Sequence, residues 1–130
     1  MTTTKRSRQR EAILEVVQGT KCHPTADWVY SEVRKVIPNI SLGTVYRNLS
    51  MLSENGTIQK LHIGTSSEHF DGNPDVHYHV YCTQCGRIDD IEAEPFESFN
   101  SWAADMYDGE IFEHHTMFMG KCSQCKKIKI

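Results

Sequence analysis

The sequence predicts an α+β chain in two lobes, and three observations carry that expectation. Apolar residues recur at helical spacing up to about residue 55 and then alternate as in strands. A polar, turn-rich segment, Asp71-Gly72-Asn73-Pro74-Asp75, interrupts the pattern near the middle. The two sides also differ in charge: residues 1–47 hold eight Lys and Arg against four Asp and Glu, whereas residues 76–130 hold five against nine.

In the first lobe, residues 1–71, Ile13, Leu14, Val16 and Val17 give the stretch from Arg8 to Gln18 an apolar side, and Gly19 ends it. His23-Pro24-Thr25 opens a second helix. Thr25 can cap it, Trp28, Val29, Val33, Val36 and Ile37 form its apolar stripe, and Pro38-Asn39 breaks it. Ser41 caps a third, with Leu42, Val45, Tyr46, Leu49 and Leu52 at steps of three and four before Asn55-Gly56. The alternating runs Thr57–Ile63 and Ser67–Asp71, joined by Gly64-Thr65-Ser66, read as a hairpin. Three helices followed by a hairpin is the layout of a winged helix-turn-helix. In that layout the last helix before the wing enters the DNA major groove. Its outward residues here are Gly43, Thr44, Arg47, Asn48 and Met51; Arg47 can donate bidentately to guanine and Asn48 can pair with adenine. The plainer reading of the same residues is an ordinary solvated helix face.

A hinge over residues 72–76 leads to a small α/β domain, residues 77–130. Strands are expected over Val76–Cys82 and Arg87–Ile91, then a helix from Pro95 with Phe96, Phe99, Ala103 and Met106 facing inward, stopped by Asp108-Gly109. A last strand is expected over Glu110–Met119. A lobe of this size rarely folds without a staple.

Composition narrows the function classes. The chain has 130 residues, 38% of them hydrophobic, and a formal net charge of -3, so the basic side of the first lobe is hidden in an acidic whole. No stretch approaches the roughly 18 apolar residues of a membrane span. The run from Met1 to Arg10 has no apolar segment after its charges, so a secretory signal is not expected and a cytoplasmic location is. Cytosolic thiols stay reduced, which turns attention from disulfides to metals. There is no internal repeat and no low-complexity tract.

Cys82-Thr83-Gln84-Cys85 and Cys122-Ser123-Gln124-Cys125 are two C-x-x-C knuckles. Four thiolates at this spacing close a tetrahedral zinc site and leave no position open for chemistry. A redox dithiol is the alternative, disfavoured by two such pairs in one small lobe. Cys22, the fifth cysteine, reads as a small hydrophobe and is assigned no role. His77-Tyr78-His79 lies on a strand, where period-two geometry puts both imidazoles on one face and Val76, Tyr78 and Val80 on the other. Asp71 and Asp89-Asp90 are nearby oxygen donors, and His23 opens a helix of the other lobe. Histidines with carboxylates and no thiolate suit iron, manganese or zinc. Most of His62, His69, His114 and His115 read as surface or satisfied core residues.

These residues together resemble the ferric uptake regulator (Fur) family over nearly the whole chain. The matching pieces are Arg8-Gln9-Arg10 before an apolar helix, His23-Pro24-Thr25-Ala26, Ser41-Leu42-Gly43-Thr44-Val45-Tyr46-Arg47-Asn48-Leu49, the block from His77 to Gly86, and Gly120-Lys121-Cys122-Ser123-Gln124-Cys125. The resemblance implies a homodimeric, metal-dependent repressor bound to double-stranded operator DNA, with the second lobe dimerising. It implies structural Zn(II) on Cys82, Cys85, Cys122 and Cys125, and regulatory Fe(II) or Mn(II) on His23, Asp71, His77, His79 and Asp90. DNA contacts are expected from Arg8, Arg10, Ser41, Thr44, Tyr46, Arg47 and Asn48.

Within the family, iron-sensing members usually carry Glu where this chain has Asp71 and Asp90, whereas the peroxide-sensing branch (the PerR type) carries Asp at both. Two places that ligate a second metal in iron sensors hold Val76 and Tyr78 here, leaving only Glu97 and His114 of that site. The resemblance therefore implies a peroxide sensor in which iron-catalysed oxidation of His23 and His77 releases DNA. An iron-, manganese- or zinc-sensing repressor of the same family is the alternative. A non-haem iron enzyme and a zinc-stabilised interaction module without DNA function are readings from other classes.

Overall fold

The computed structural model describes residues 4–62 and 68–127, and the chain divides into two compact units, Met1–Pro74 and Asp75–Ile130. The fold is α+β, with a winged helix first and a small α/β unit second.

In the first unit, α1 (Lys5–Gln18) begins where the Thr4 side chain accepts the Ser7 N–H at 3.0 Å. Helix α2 (Ala26–Val33) is capped by Thr25, with Asp27 in its first turn where the helix dipole favours a negative charge. It is shorter than its apolar stripe: the chain leaves the helix after Val33, ahead of Pro38, and Val36 is exposed while Ile37 still reaches the core. Helix α3 (Leu42–Glu54) is capped by Ser41, which accepts the Thr44 N–H at 3.1 Å. Val45, Leu49 and Leu52 are its buried side, whereas Leu42 and Tyr46, expected in the same stripe, are more than 40% exposed. The wing is β1 (Gln59–Leu61) antiparallel to β2 (His69–Asp71), pairing Gln59 with Asp71 and Leu61 with His69. The expected loop Gly64-Thr65-Ser66, and the ends of the two runs that flank it, fall outside the described residues. Ile13, Val17, Val29, Val33, Val45, Leu49, Ile58 and Phe70 are at most 1% exposed and form the core. Each such side chain contributes roughly 1.5–3 kcal/mol relative to exposure.

The second unit is a three-stranded sheet in the order β4-β3-β5. Strand β3 (Tyr78–Cys82) runs antiparallel to β4 (Ile88–Ile91) and parallel to β5 (Met117–Gly120). Helices α4 (Ser98–Asp105) and α5 (Ser123–Lys126) complete it. Two expectations are corrected here. The strand expected over Glu110–Met119 is paired only from Met117, because its register with β3 begins at His79. The apolar side of the Pro95 helix does not face inward within this chain: α4 has no buried residue, and Phe96, Phe99 and Met106 are 61%, 44% and 65% exposed. A helical stripe records that a face is apolar, not what covers it. Among the described residues no helix is long and apolar enough to cross a membrane.

Candidate metal centres and nucleic-acid face

The four thiols of the C-x-x-C pairs meet in the second unit. Cys82 closes β3, and a tight turn returns the chain to β4 through Cys82 N–H to Arg87 O at 2.8 Å and Gly86 N–H to Cys82 O at 2.9 Å. Gly86 has φ +81°, a conformation glycine adopts without steric cost. The backbone N–H of Cys85 points at the Cys82 sulfur, 3.4 Å away. Cys122 repeats the device as the cap of α5, its sulfur accepting the Cys125 N–H at 3.5 Å. All four sulfurs lie within 4.8 Å of one another. The backbone N–H groups of Cys85 and Cys122 hold the Cys82 thiol down at about 6, from an ordinary 9.0. Burial and the neighbouring sulfurs push Cys125 up to about 12. Without a cation the cluster must keep protons on some sulfurs; a divalent metal replaces them, and four convergent thiolates with no open position form a structural zinc site.

A second donor set in the same unit comes from neighbouring strands. Register pairs His79 of β3 directly with Asp90 of β4. Asp90 Oδ1 lies 3.0 Å from His77 Nε2 and 3.3 Å from His79 Nε2, with the ring centroids 4.2 Å apart. The His77 Nδ1 atom sits 2.7 Å from the Asp75 carbonyl oxygen. A carbonyl only accepts, so Nδ1 carries the proton, and Nε2, the atom aimed at Asp90, is the available ligand atom of the neutral ring. Both imidazoles thus direct Nε2 at one carboxylate oxygen, an arrangement stabilised by a shared cation. The histidine face is as buried as its opposite: the His79 side chain is 4% exposed, and on the other face Tyr78 is buried while Val76 and Val80 are half-buried.

The first unit holds its own pair. His23 Nε2 is 3.3 Å from Asp71 Oδ2, and both residues are buried. Asp71, at the end of β2, is oriented by the Asn73 N–H, which its Oδ1 accepts at 2.9 Å. Gly72 follows because the chain there runs against α1: a Cβ would stand 2.7 Å from the Gln18 Cα.

The candidate nucleic-acid face lies in the first unit. Arg6, Gln9 and Arg10 of α1 and Thr44, Arg47, Asn48 and Met51 of α3 line one depression. Arg47 Nη2 rests on Thr44 Oγ1 at 3.2 Å, and Asn48 Nδ2 donates to the Thr44 carbonyl at 2.9 Å. Both side chains are thus engaged by their own helix. Ser41 serves as the cap, and Tyr46 points elsewhere, its hydroxyl donating to Glu68 Oε2 at 3.3 Å.

Sequence reasoning missed two supports. His69 Nδ1 binds the His23 carbonyl at 2.8 Å. In the second unit, the Phe96 N–H donates to Tyr78 Oη at 2.6 Å, Tyr78 Oη stands 2.6 Å from His114 Nε2, and His114 Nδ1 stands 2.8 Å from Asn100 Oδ1. No local pattern marks either, since each joins residues far apart in sequence.

Fold and donor sets define a metal-binding winged-helix protein. The ferric uptake regulator family profile matches residues 1–120. The peroxide-responsive repressor PerR of Staphylococcus aureus (strain USA300) is 36% identical over 118 residues, covering 91% of this chain and 80% of that protein. The Campylobacter jejuni peroxide stress regulator superposes with a TM-score of 0.78 at 28% identity, over 93% of this chain and 91% of that one. The Helicobacter pylori ferric uptake regulator, a structure with three functional metal binding sites, gives 0.81 at 22% identity over 95% and 83%, a likeness of fold. The chain belongs to the ferric uptake regulator family.

Proposed function

We propose that the protein is a metal-dependent, homodimeric transcriptional repressor, acting on operator DNA in the cytoplasm, that senses hydrogen peroxide. The observation that carries the reading is the acidic half of the donor set: both carboxylates beside the buried imidazoles, Asp71 and Asp90, are aspartates. The 36% identity to a peroxide-responsive repressor supports it. In this reading His23 and Asp71 of the first unit and His77, His79 and Asp90 of the second are ligands of one regulatory Fe(II) or Mn(II) ion, while the four cysteines hold Zn(II). Ferrous iron, when bound, supplies one-electron reduction of peroxide next to the imidazoles. The net change at His23 or His77 is ring plus peroxide to oxo-imidazole plus water, and the modified ring is a poorer donor. Ligation by both units favours the conformer that grips DNA, so loss of a ligand shifts the population away from it. Arg8, Arg10, Thr44, Arg47 and Asn48 supply the DNA contacts. The exposed Phe96, Trp102 and Met106 of the α4 segment suit burial against a second copy.

The test is DNA binding metal by metal, before and after low peroxide, with the protein analysed by mass spectrometry. The iron-loaded parent should gain one oxygen on the peptide holding His23 or His77 and leave DNA, while the manganese-loaded parent should stay. Asp90→Glu should still repress, yet gain no oxygen. An iron-loaded parent that stays unmodified and bound, with metal occupancy confirmed, overturns peroxide sensing and leaves a sensor of metal level. Absence of metal-dependent, salt-dependent binding to duplex DNA overturns the repressor itself.

A further inference from the structure

His23 is the one non-glycine residue with positive φ, +53°, among the described residues. That left-handed conformation costs a residue bearing a Cβ and persists only where the surroundings determine it. The surroundings here are strand β2 of the wing. The Phe70 N–H donates to the Pro24 carbonyl at 2.8 Å, a backbone clamp that any residue at position 70 except proline could make. The neighbouring clamp depends on a side chain: His69 Nδ1 lies 2.8 Å from the His23 carbonyl oxygen. That oxygen only accepts, so Nδ1 carries the proton and donates. Two successive carbonyls, of His23 and Pro24, are thereby tied to two successive residues of β2. The next residue of that strand is Asp71, whose Oδ2 faces His23 Nε2 at 3.3 Å. His23 and Asp71 are thus set at their separation by one three-residue strand, although 48 positions divide them in sequence.

We infer that His69 is a positioning residue for the regulatory metal: its Nδ1–H holds the His23 backbone in the left-handed turn that brings the imidazole beside Asp71. The inference rests on the proposed ligand role of His23. It also places the wing strand in the support of a metal ligand, so that occupancy of the site and order of the wing are linked through His69.

The experiment measures Mn(II) affinity by electron paramagnetic resonance on the full-length, zinc-loaded dimer. His69→Leu should bind Mn(II) about 10-fold or more weakly, the scale of losing an outer support of a metal ligand. His69→Asn should keep most of the affinity, because its amide nitrogen is as many bonds from Cβ as Nδ1. His69→Gln moves the amide one bond further out and should fail as Leu does, which decides the matter if the leucine variant does not fold. Co(II) absorption supplies a readout that a merely stabilising residue would not move: the His69→Leu spectrum should resemble that of His23→Ala. His23→Ala keeps the two readings apart. If it binds Mn(II) as the parent does, the ligand assignment fails. If it loses Mn(II) while His69→Leu and His69→Gln both retain parental affinity and spectrum, the positioning role of His69 is wrong.

Discussion

Removing zinc from the reduced chain should unfold the second unit and leave the first folded. The asymmetry follows from what each unit buries. The first has a contiguous core from Ile13 to Phe70, assembled from three helices and the wing. In the second, the buried apolar side chains among the described residues are Tyr78, Ile88 and three cysteines, Cys82, Cys122 and Cys125. The sulfur cluster is therefore a large part of its interior, and without metal it is a group of thiols and thiolates rather than a core. A structural zinc site contributes about 10–16 kcal/mol at neutral pH. A domain of this length has roughly 3–8 kcal/mol of net stability at about 0.05–0.15 kcal/mol per residue. The first figure exceeds the second, so chelation should convert the unit wholly rather than loosen it. Hydrogen exchange read by mass spectrometry resolves the two units: amides of β3, β4 and β5 should lose protection after chelation, while those of α1 and α3 keep theirs. Cys82→Ser should behave like the chelated parent and dimerise poorly. A zinc-free chain with undiminished protection in β3 and an intact dimer would refute the structural role of the metal.

Arg47→Ala should cut the preference for operator over random DNA by roughly 1–3 kcal/mol if Arg47 makes a bidentate base contact. Neutralising Lys5, Arg6 and Arg8 should instead weaken binding to all sequences and flatten the salt slope; titrations at several salt concentrations separate the two. Zinc uptake by the reduced apo chain at pH 7 should release protons, measurable by calorimetry in buffers of different ionisation heat. The Cys125 thiol, pushed up to about 12, must give up its proton on binding, whereas Cys82, held at about 6, is already a thiolate. In the apo chain the depressed Cys82 stabilises the fold fully above 9.0 and loses that contribution as pH falls through about 6. The raised Cys125 has the opposite sign, stabilising below 9.0 and losing its contribution as pH rises towards about 12. Zinc affinity should therefore fall with pH most steeply below about 6, where Cys82 too must be deprotonated. Tyr78→Phe should cost about 1–3 kcal/mol in denaturant unfolding, because it leaves the Phe96 N–H and His114 Nε2 without their shared hydroxyl.

Much of the fold was legible because its signals are local. Thr25 and Ser41 announce α2 and α3 within one turn of the helices they cap, and both accept the bonds their positions imply. The C-x-x-C pairs are legible for the same reason: each knuckle is a turn of four residues whose chemistry has few other uses. What failed to show is non-local. The parallel pairing of β5 with β3 starts at Met117, and no turn residue between Glu110 and Thr116 marks that start. The α4 stripe is real, but among the described residues none of α4 is buried. His69 and His114 read as ordinary satisfied histidines, and satisfied they are; what they satisfy, the His23 carbonyl and a buried tyrosine, depends on residues 46 and 36 positions away.

The two donor sets of the second unit are not independent pieces of chemistry. The turn carrying Cys82 and Cys85 is the connection between β3 and β4, so the knuckle that grips zinc also sets the register of those strands. Register decides which face every side chain occupies, since a slip of one residue reverses them all. In the observed register His79 stands opposite Asp90, and the carboxylate shares a face with both imidazoles. Slipped by one, β4 would offer Asp89 or Ile91 in that place with its side chain paired differently, and Asp90 would turn to the other face. A zinc-bound knuckle removes that freedom before any regulatory ion arrives, leaving the ion to order side chains rather than strands. The same logic accounts for the first unit, where strand β2, through Asp71, Phe70 and His69, fixes the remaining pair of donors without a metal of its own.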